Sequence, residues 1–200
     1  MPNAKSQMPS IAIFDYDNTL VKGDSLWPFL VAVAGRKRAC LVLGKAVLGL
    51  IKERFKQKDT RTYVKEQLLL NLLGGKTNAE LSPAIQSLKT WPQTKEPAIT
   101  AIKKHRAAGH HILIASGSLD IYLPELLKDI PHDAVLCTQM EVKGGIVTGR
   151  MASGNCVRAR KAEMIRDYLA AHGPFEDSWG YGNAPHDLPM LEWVNHKVVV

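Results

Sequence analysis

Two carboxylates, Asp15 and Asp17, stand two residues apart at the end of a short apolar run (IAIFD, residues 11–15), with Thr19 two residues further on. Carboxylates at i and i+2 on a strand end can face the same side of the following loop. One can then attack an electrophile while the other handles protons, and both can approach one cation. Three later polar clusters are candidates to join them: Ser116-Gly117-Ser118, Lys161 in Arg158-Ala159-Arg160-Lys161, and Gly182-Asn183-Ala184-Pro185-His186-Asp187.

These clusters lie far apart in the chain, so the fold must collect them. Residues 11–15 read as a buried strand. From Ser25 to about Trp91 the pattern is helical, broken at Gly35, Gly74-Gly75 and Pro92. A helix at 95–108 then precedes a strand at 111–115, and a helical stretch at 119–129 precedes a strand at 134–138. A hairpin turns at Lys143-Gly144-Gly145, followed by a helix at 158–171, a strand at 178–182, a short helix at 187–193 and a last strand at 197–200. Strands separated by helices imply an α/β core with a parallel sheet and crossovers. The division expected is a core of residues 1–20 and 91–200 with a helical insertion, 21–90, after its first strand. Such sheets bind ligands beyond the carboxyl ends of their strands, which is where the polar clusters fall.

The set resembles the haloacid dehalogenase superfamily, and within it the phosphoserine phosphatase-like branch with a helical cap inserted after the first strand. The resemblance covers residues 11–199 and rests on four motifs in order: DxDxT (Asp15, Asp17, Thr19), Ser116 in Ile114-Ala115-Ser116-Gly117-Ser118, Lys161 five residues after Cys156, and Gly182-Asn183-x-x-x-Asp187. It implies a Rossmann-like sheet with helices on both faces, and Mg²⁺-dependent hydrolysis of a phosphate monoester through an aspartyl-phosphate. In that scheme Asp15 is the nucleophile, and Asp17 is the general acid and then the base. Thr19, Asp24, Ser116, Gly117 and Lys161 contact substrate, with Lys161 offsetting the gathered negative charge. Asp15, Asp17 through its carbonyl, Asn183 and Asp187 hold the metal. The family usually has Asp where Asn183 stands, so a phosphate-binding relative with weakened catalysis is the alternative reading. The chain stops at Val200, within the last expected strand, where family members usually run on.

Each residue also has a plainer reading. Asp17, Asp24 and Asp187 suit helix or turn caps, Ser116 an N-cap, and Lys161 a solvated basic face. The seven histidines show no ligand spacing, though His186 falls in the expected metal loop, where it can shape substrate access.

Composition bounds the rest. At 200 residues, 46% hydrophobic and 22% charged, the chain can bury a full core. Three scattered cysteines argue against a zinc site or disulfide scaffold, and the first residues carry no apolar signal segment, so a cytoplasmic protein is expected. The net charge is +7, and residues 21–90 hold 13 Lys and Arg against 5 Asp and Glu. An anionic small-molecule partner, a phosphorylated metabolite, suits that charge; no recognition motif points to nucleic acid. Oligomeric state is left open between monomer and dimer. Within the insertion, Ala39–Ile51 is apolar nearly all round and too short to span a bilayer. The favoured reading is a buried bundle helix; the sharper one is an interfacial helix at an anionic membrane admitting a lipid phosphate such as phosphatidylglycerophosphate.

Overall fold

The structure, a computed structural model, describes residues 9–52 and 59–200. Strand β1 (Ile11–Phe14) is followed by helices α1 (Leu26–Ala34), α2 (Arg36–Lys52) and α3 (Thr60–Leu72), a two-residue strand β2 (Lys76–Thr77) and α4 (Asn78–Leu88). The chain then alternates through α5 (Glu96–Ala107), β3 (His111–Leu119), α6 (Leu123–Leu126) and β4 (Ala134–Thr138). A hairpin of β5 (Met140–Lys143) and β6 (Ile146–Met151) leads to α7 (Arg158–His172), β7 (Ser178–Gly182), α8 (Leu188–Leu191) and β8 (His196–Val199).

Five strands form a parallel sheet in the order β4-β3-β1-β7-β8. The central place of β1 follows from its residues: all four are apolar and buried, so both faces of the strand need cover. Ala12 and Phe14 face a core with Ile102, Ile112 and Ile114, while Ile11 and Ile13 face Leu113, Ile165 and Leu191 on the other side. The first core runs on without a break into the inserted helices through Phe29, Leu30, Leu69, Leu72 and Leu81. Each such side chain fully buried stabilises the fold by about 1.5–3 kcal/mol, so the insertion is welded to the sheet rather than tethered to it. α4 begins with a reciprocal cap: the Thr77 hydroxyl accepts from the Glu80 amide, and the Glu80 carboxylate accepts from the Thr77 amide.

Six expectations need correction. The insertion is not wholly helical, because β2 pairs antiparallel with β6 and turns the hairpin into a three-stranded sheet, β2-β6-β5. Two residues are too few to show a period of two, so this strand left no pattern to read. The strand expected at 111–115 continues to Leu119, because pairing with β4 resumes at Leu119 and Thr138 after a register shift beyond Ala115. The helix expected at 119–129 shrinks to Leu123–Leu126, and that at 187–193 to Leu188–Leu191, each with proline in its first turn. The last strand lies at His196–Val199, one residue early at either end. α2 is not a buried helix: Ala39, Val42 and Ala46 are buried, but Leu41, Val47, Leu48 and Ile51 are exposed. A helix packed on one side covers only the side chains of that face. The hairpin turn falls where expected, with Gly144 and Gly145 both at positive φ, 58° and 78°, as a two-residue hairpin turn requires. Among the described residues no helix is long and apolar enough to cross a membrane.

Candidate active site

The carboxyl ends of β1, β3 and β7 and the first turn of α7 converge on a cavity of about 260 Å³, whose other wall comes from the insertion. Asp15 follows β1 directly and stays tied to the sheet, its amide donating to the Tyr181 carbonyl at 2.9 Å. Its carboxylate accepts from Lys161 Nζ at 2.7 Å and from the Thr19 hydroxyl at 2.9 Å. The same ammonium donates to Asp187 at 2.7 Å. The second oxygen of Asp187 accepts from the Asn183 amide at 2.9 Å. This close approach requires glycine at 182, where a Cβ would lie 2.5 Å from the Cβ of Asp187.

Lys161 is 3% exposed, which removes the solvated-face reading. Burial would lower its pKa, but Asp15 and Asp187 hold it above the ordinary lysine value. Burial pushes the Asp15 carboxyl up against the pull of Lys161, and the nearby Asp187 charge adds to the rise. Asp17 sits just across the loop. Its carboxylate accepts from the Ser25 amide (2.9 Å), the Ser25 hydroxyl (3.2 Å) and the Ser118 hydroxyl (2.5 Å). Burial first, then the Asp24 charge, pushes its pKa up to about 7, with the Ser118 hydrogen bond opposing. Two neighbouring carboxyls therefore differ in environment: one is held by an ammonium, the other by neutral donors and poised to carry a proton near neutrality.

Asn183 closes the arrangement. Its side-chain NH₂ donates to the Asp17 carbonyl at 3.2 Å and lies 3.4 Å from Asp15 Oδ2. Adjacent oxygens around Mg²⁺ sit about 3 Å apart, and the Asn183 amide, turned to offer its oxygen, stands at close to that spacing from both the Asp15 carboxylate and the Asp17 carbonyl. The set fits Mg²⁺ with a single formal negative charge among its direct donors. Asp187 stands beside this set, its oxygens accepting from Lys161 and the Asn183 amide, as those of Asp15 accept from Lys161 and Thr19. Among the described residues no three His, Cys, Asp or Glu side chains gather as a metal cluster.

The expected residues divide by position. Asp15, Asp17, Asp24, Gly117, Lys161, Asn183 and Asp187 line the cavity. Thr19 and Ser116 are fully buried behind it; Thr19 braces Asp15, and the Ser116 hydroxyl accepts from the Ser118 amide at 3.0 Å. Asp24 accepts from the Leu26 amide at 2.8 Å, a capping contact, while also facing the cavity.

Several lining residues were not foreseen. Lys65 reaches from α3 into the core and donates to the Gly117 carbonyl (2.6 Å), Asn155 (2.7 Å) and Thr138 (3.2 Å). Burial lowers its pKa to about 8. Asn155 in turn donates to the Thr62 hydroxyl at 2.8 Å. At the mouth, Arg61 lies 2.8 Å from His186 and Arg158 lies 3.6 Å from Asp59. All of these bridge insertion and core, and no local spacing in the sequence announces a contact between segments so far apart.

Residues 12–192 match the family model for haloacid dehalogenase-like hydrolases. Over 182 residues, 90% of the chain, it is 25% identical to phosphoserine phosphatase SerB2 of Mycobacterium tuberculosis, and it spans 41% of that protein's length. A solved protein of unknown function from Bordetella pertussis Tohama I superposes with a TM-score of 0.79 at 22% identity, covering 96% of this chain and 90% of that one. A substrate-bound phosphoserine phosphatase superposes at 0.67 with 19% identity, covering 98% and 86%.

Proposed function

Because the chain belongs to the haloacid dehalogenase-like hydrolase family, we propose that it hydrolyses phosphate monoesters through an aspartyl-phosphate formed on Asp15. The observation that carries this reading is the convergence of Asp15, Asp17, Lys161 and Asn183, from two strand ends and one helix, on a single cavity. Asp15 attacks phosphorus, and the bond to the ester oxygen breaks as Asp17 protonates the departing alkoxide. Asp17 then takes a proton from water, which attacks the acyl phosphate and releases inorganic phosphate and free Asp15. Lys161 offsets charge as the phosphoryl group meets the carboxylate. Mg²⁺, held by Asp15, the Asp17 carbonyl and Asn183, would supply charge neutralisation to the phosphate oxygens. Asp187 orients Lys161 and the Asn183 backbone.

Residues 21–90 act as the cap. They contribute Ser25 to the positioning of Asp17 and place Asp24, Asp59, Arg61 and Lys65 over the cavity. A volume of this size suits a small phosphorylated metabolite, and the mixed charges at the mouth suit a leaving group that is itself charged. Phosphoserine, the substrate named for the SerB2 relative, is the first compound to try, beside histidinol phosphate and p-nitrophenyl phosphate. The test is phosphate release with and without Mg²⁺. Turnover that Asp15→Asn abolishes supports the reading; no turnover on any ester would refute it. The Asn183 amide, already satisfied without metal, favours one second reading: a phosphate-ligand sensor, which would bind these esters without turning them over.

A further inference from the structure

α2 carries an apolar face that the described residues leave exposed. Leu41, Leu48 and Ile51 are 57%, 61% and 63% exposed. With Gly44 they follow at i, i+3, i+7 and i+10, one line along a helix of 3.6 residues per turn, and exposed Val47 lies beside it. Ala39, Val42 and Ala46 occupy the opposite, buried face. Arg36, Lys37, Arg38 and Lys45 are all exposed; the first three crown the amino end of the stripe, and Lys45 runs along its flank. The helix contains no Asp or Glu.

The stripe also has a direction. Arg38 reaches the Asn71 carbonyl at the end of α3, and Gly49 packs against Tyr63 near its start, so the two helices run antiparallel. The Ile51 end of the stripe therefore lies beside the first turns of α3, which bring Arg61 and Lys65 to the cavity.

We propose that this face of α2 docks on an anionic lipid surface, the helix lying in the interface with Leu41, Val47, Leu48 and Ile51 at the acyl boundary and the basic residues among the headgroup phosphates. An apolar stripe on a helix whose charged residues are all cations is complementary to a surface that offers hydrocarbon beneath a layer of negative charge. A second copy of the chain fits poorly, because pairing two acid-free helices would set their basic residues against each other with nothing to neutralise them. At 17 residues the helix lies on a bilayer rather than across it. The cavity mouth would then sit close to the surface.

The test is co-sedimentation of the whole protein with vesicles of phosphatidylglycerol and phosphatidylcholine in equal parts, and with phosphatidylcholine alone. Binding is expected on the anionic vesicles only, weakening as salt is raised. Leu48→Asp with Ile51→Asp, which removes no buried contact, should cut partitioning by about tenfold or more. Lys37→Glu with Lys45→Glu should cut it by at least roughly fivefold for each charge reversed. No binding to anionic vesicles at low salt would overturn the proposal, as would binding that both double variants leave unchanged. So would a concentration-dependent dimer that Leu48→Asp disperses, which would assign the face to a second copy. The readout is binding, so it is independent of whether the cavity turns over phosphate esters.

Discussion

Asn183→Asp tests whether this side chain truly closes the metal-side arrangement. In the present structure the Asn183 NH₂ faces two acceptors, Asp15 Oδ2 at 3.4 Å and the Asp17 carbonyl at 3.2 Å. A carboxylate there would lose those contacts, at about 1 kcal/mol each, and set a charge against Asp15. At that separation and an effective dielectric of 20, two unit charges repel by about 5 kcal/mol. Lys161, bonded to Asp15, cancels part of this, and the partly exposed position screens more. A net loss of about 2–4 kcal/mol remains for the metal-free variant, or roughly 5–15 °C in Tm for a chain of this size. Mg²⁺ should reverse the loss, since the cation then sits among two carboxylates instead of one, and half-saturation should fall by about tenfold. Thermal unfolding in EDTA and across a Mg²⁺ titration, for both proteins, reads both effects. Equal Tm values in EDTA with equal half-saturation would show that Asn183 lies apart from Asp15 in solution, and the metal-side reasoning would fail.

Asp15→Asn should lower turnover by about a thousandfold or more, because an amide cannot form the acyl phosphate, while circular dichroism stays native. Ser25→Ala removes a hydroxyl within reach of Asp17, Ser118 and Tyr122; a stability loss of about 1–3 kcal/mol in urea and a fall in kcat are expected, and an unchanged kcat would detach the insertion from the chemistry. The pKa of Lys65 is about 8 in the fold against 10.5 for the free side chain. Between those values the unfolded chain holds the extra proton, so the folding penalty is whole below about pH 8 and is relieved as pH rises to 10.5, by roughly 3 kcal/mol in all. Relative to Lys65→Met, the parent protein should therefore gain stability across that window in chemical unfolding; parallel profiles would refute the buried, charged lysine.

The parallel sheet was legible because its central strands are runs of apolar residues bounded by polar clusters. Ile11–Phe14 and the start of β3 must be buried on both faces, and only a sheet covered on both sides does that. Their polar sequels fall at the carboxyl ends by chain direction alone, which is why the sequence groups Asp15, Asp17, Asn183 and Asp187 around one site; Lys161, in the first turn of α7, joins them only through the family resemblance. What escaped were features decided by tertiary context. β2 is a strand only because β6 lies beside it. The line of Leu41, Leu48 and Ile51 reads as core by composition, and the positions of α1 and α3 decide which face of α2 is covered.

The insertion's share of the site escaped for the same reason, and Lys65 shows it best. In sequence it is one lysine in a helix rich in leucine, with nothing to separate it from the surface lysines nearby. In the fold it is buried and its three acceptors come from β3, β4 and the loop before α7, with Asn155 carrying the link back to Thr62. A buried ammonium without a carboxylate partner is costly to desolvate, and it is tolerated here because each acceptor is held in place by the core. The contact fixes α3 against the Gly117 carbonyl, one residue from the Ser118 hydroxyl that holds Asp17. A change in how α3 seats would thus be felt at Asp17 through two hydrogen bonds, a coupling that lives in the packing of insertion on core and not in any motif.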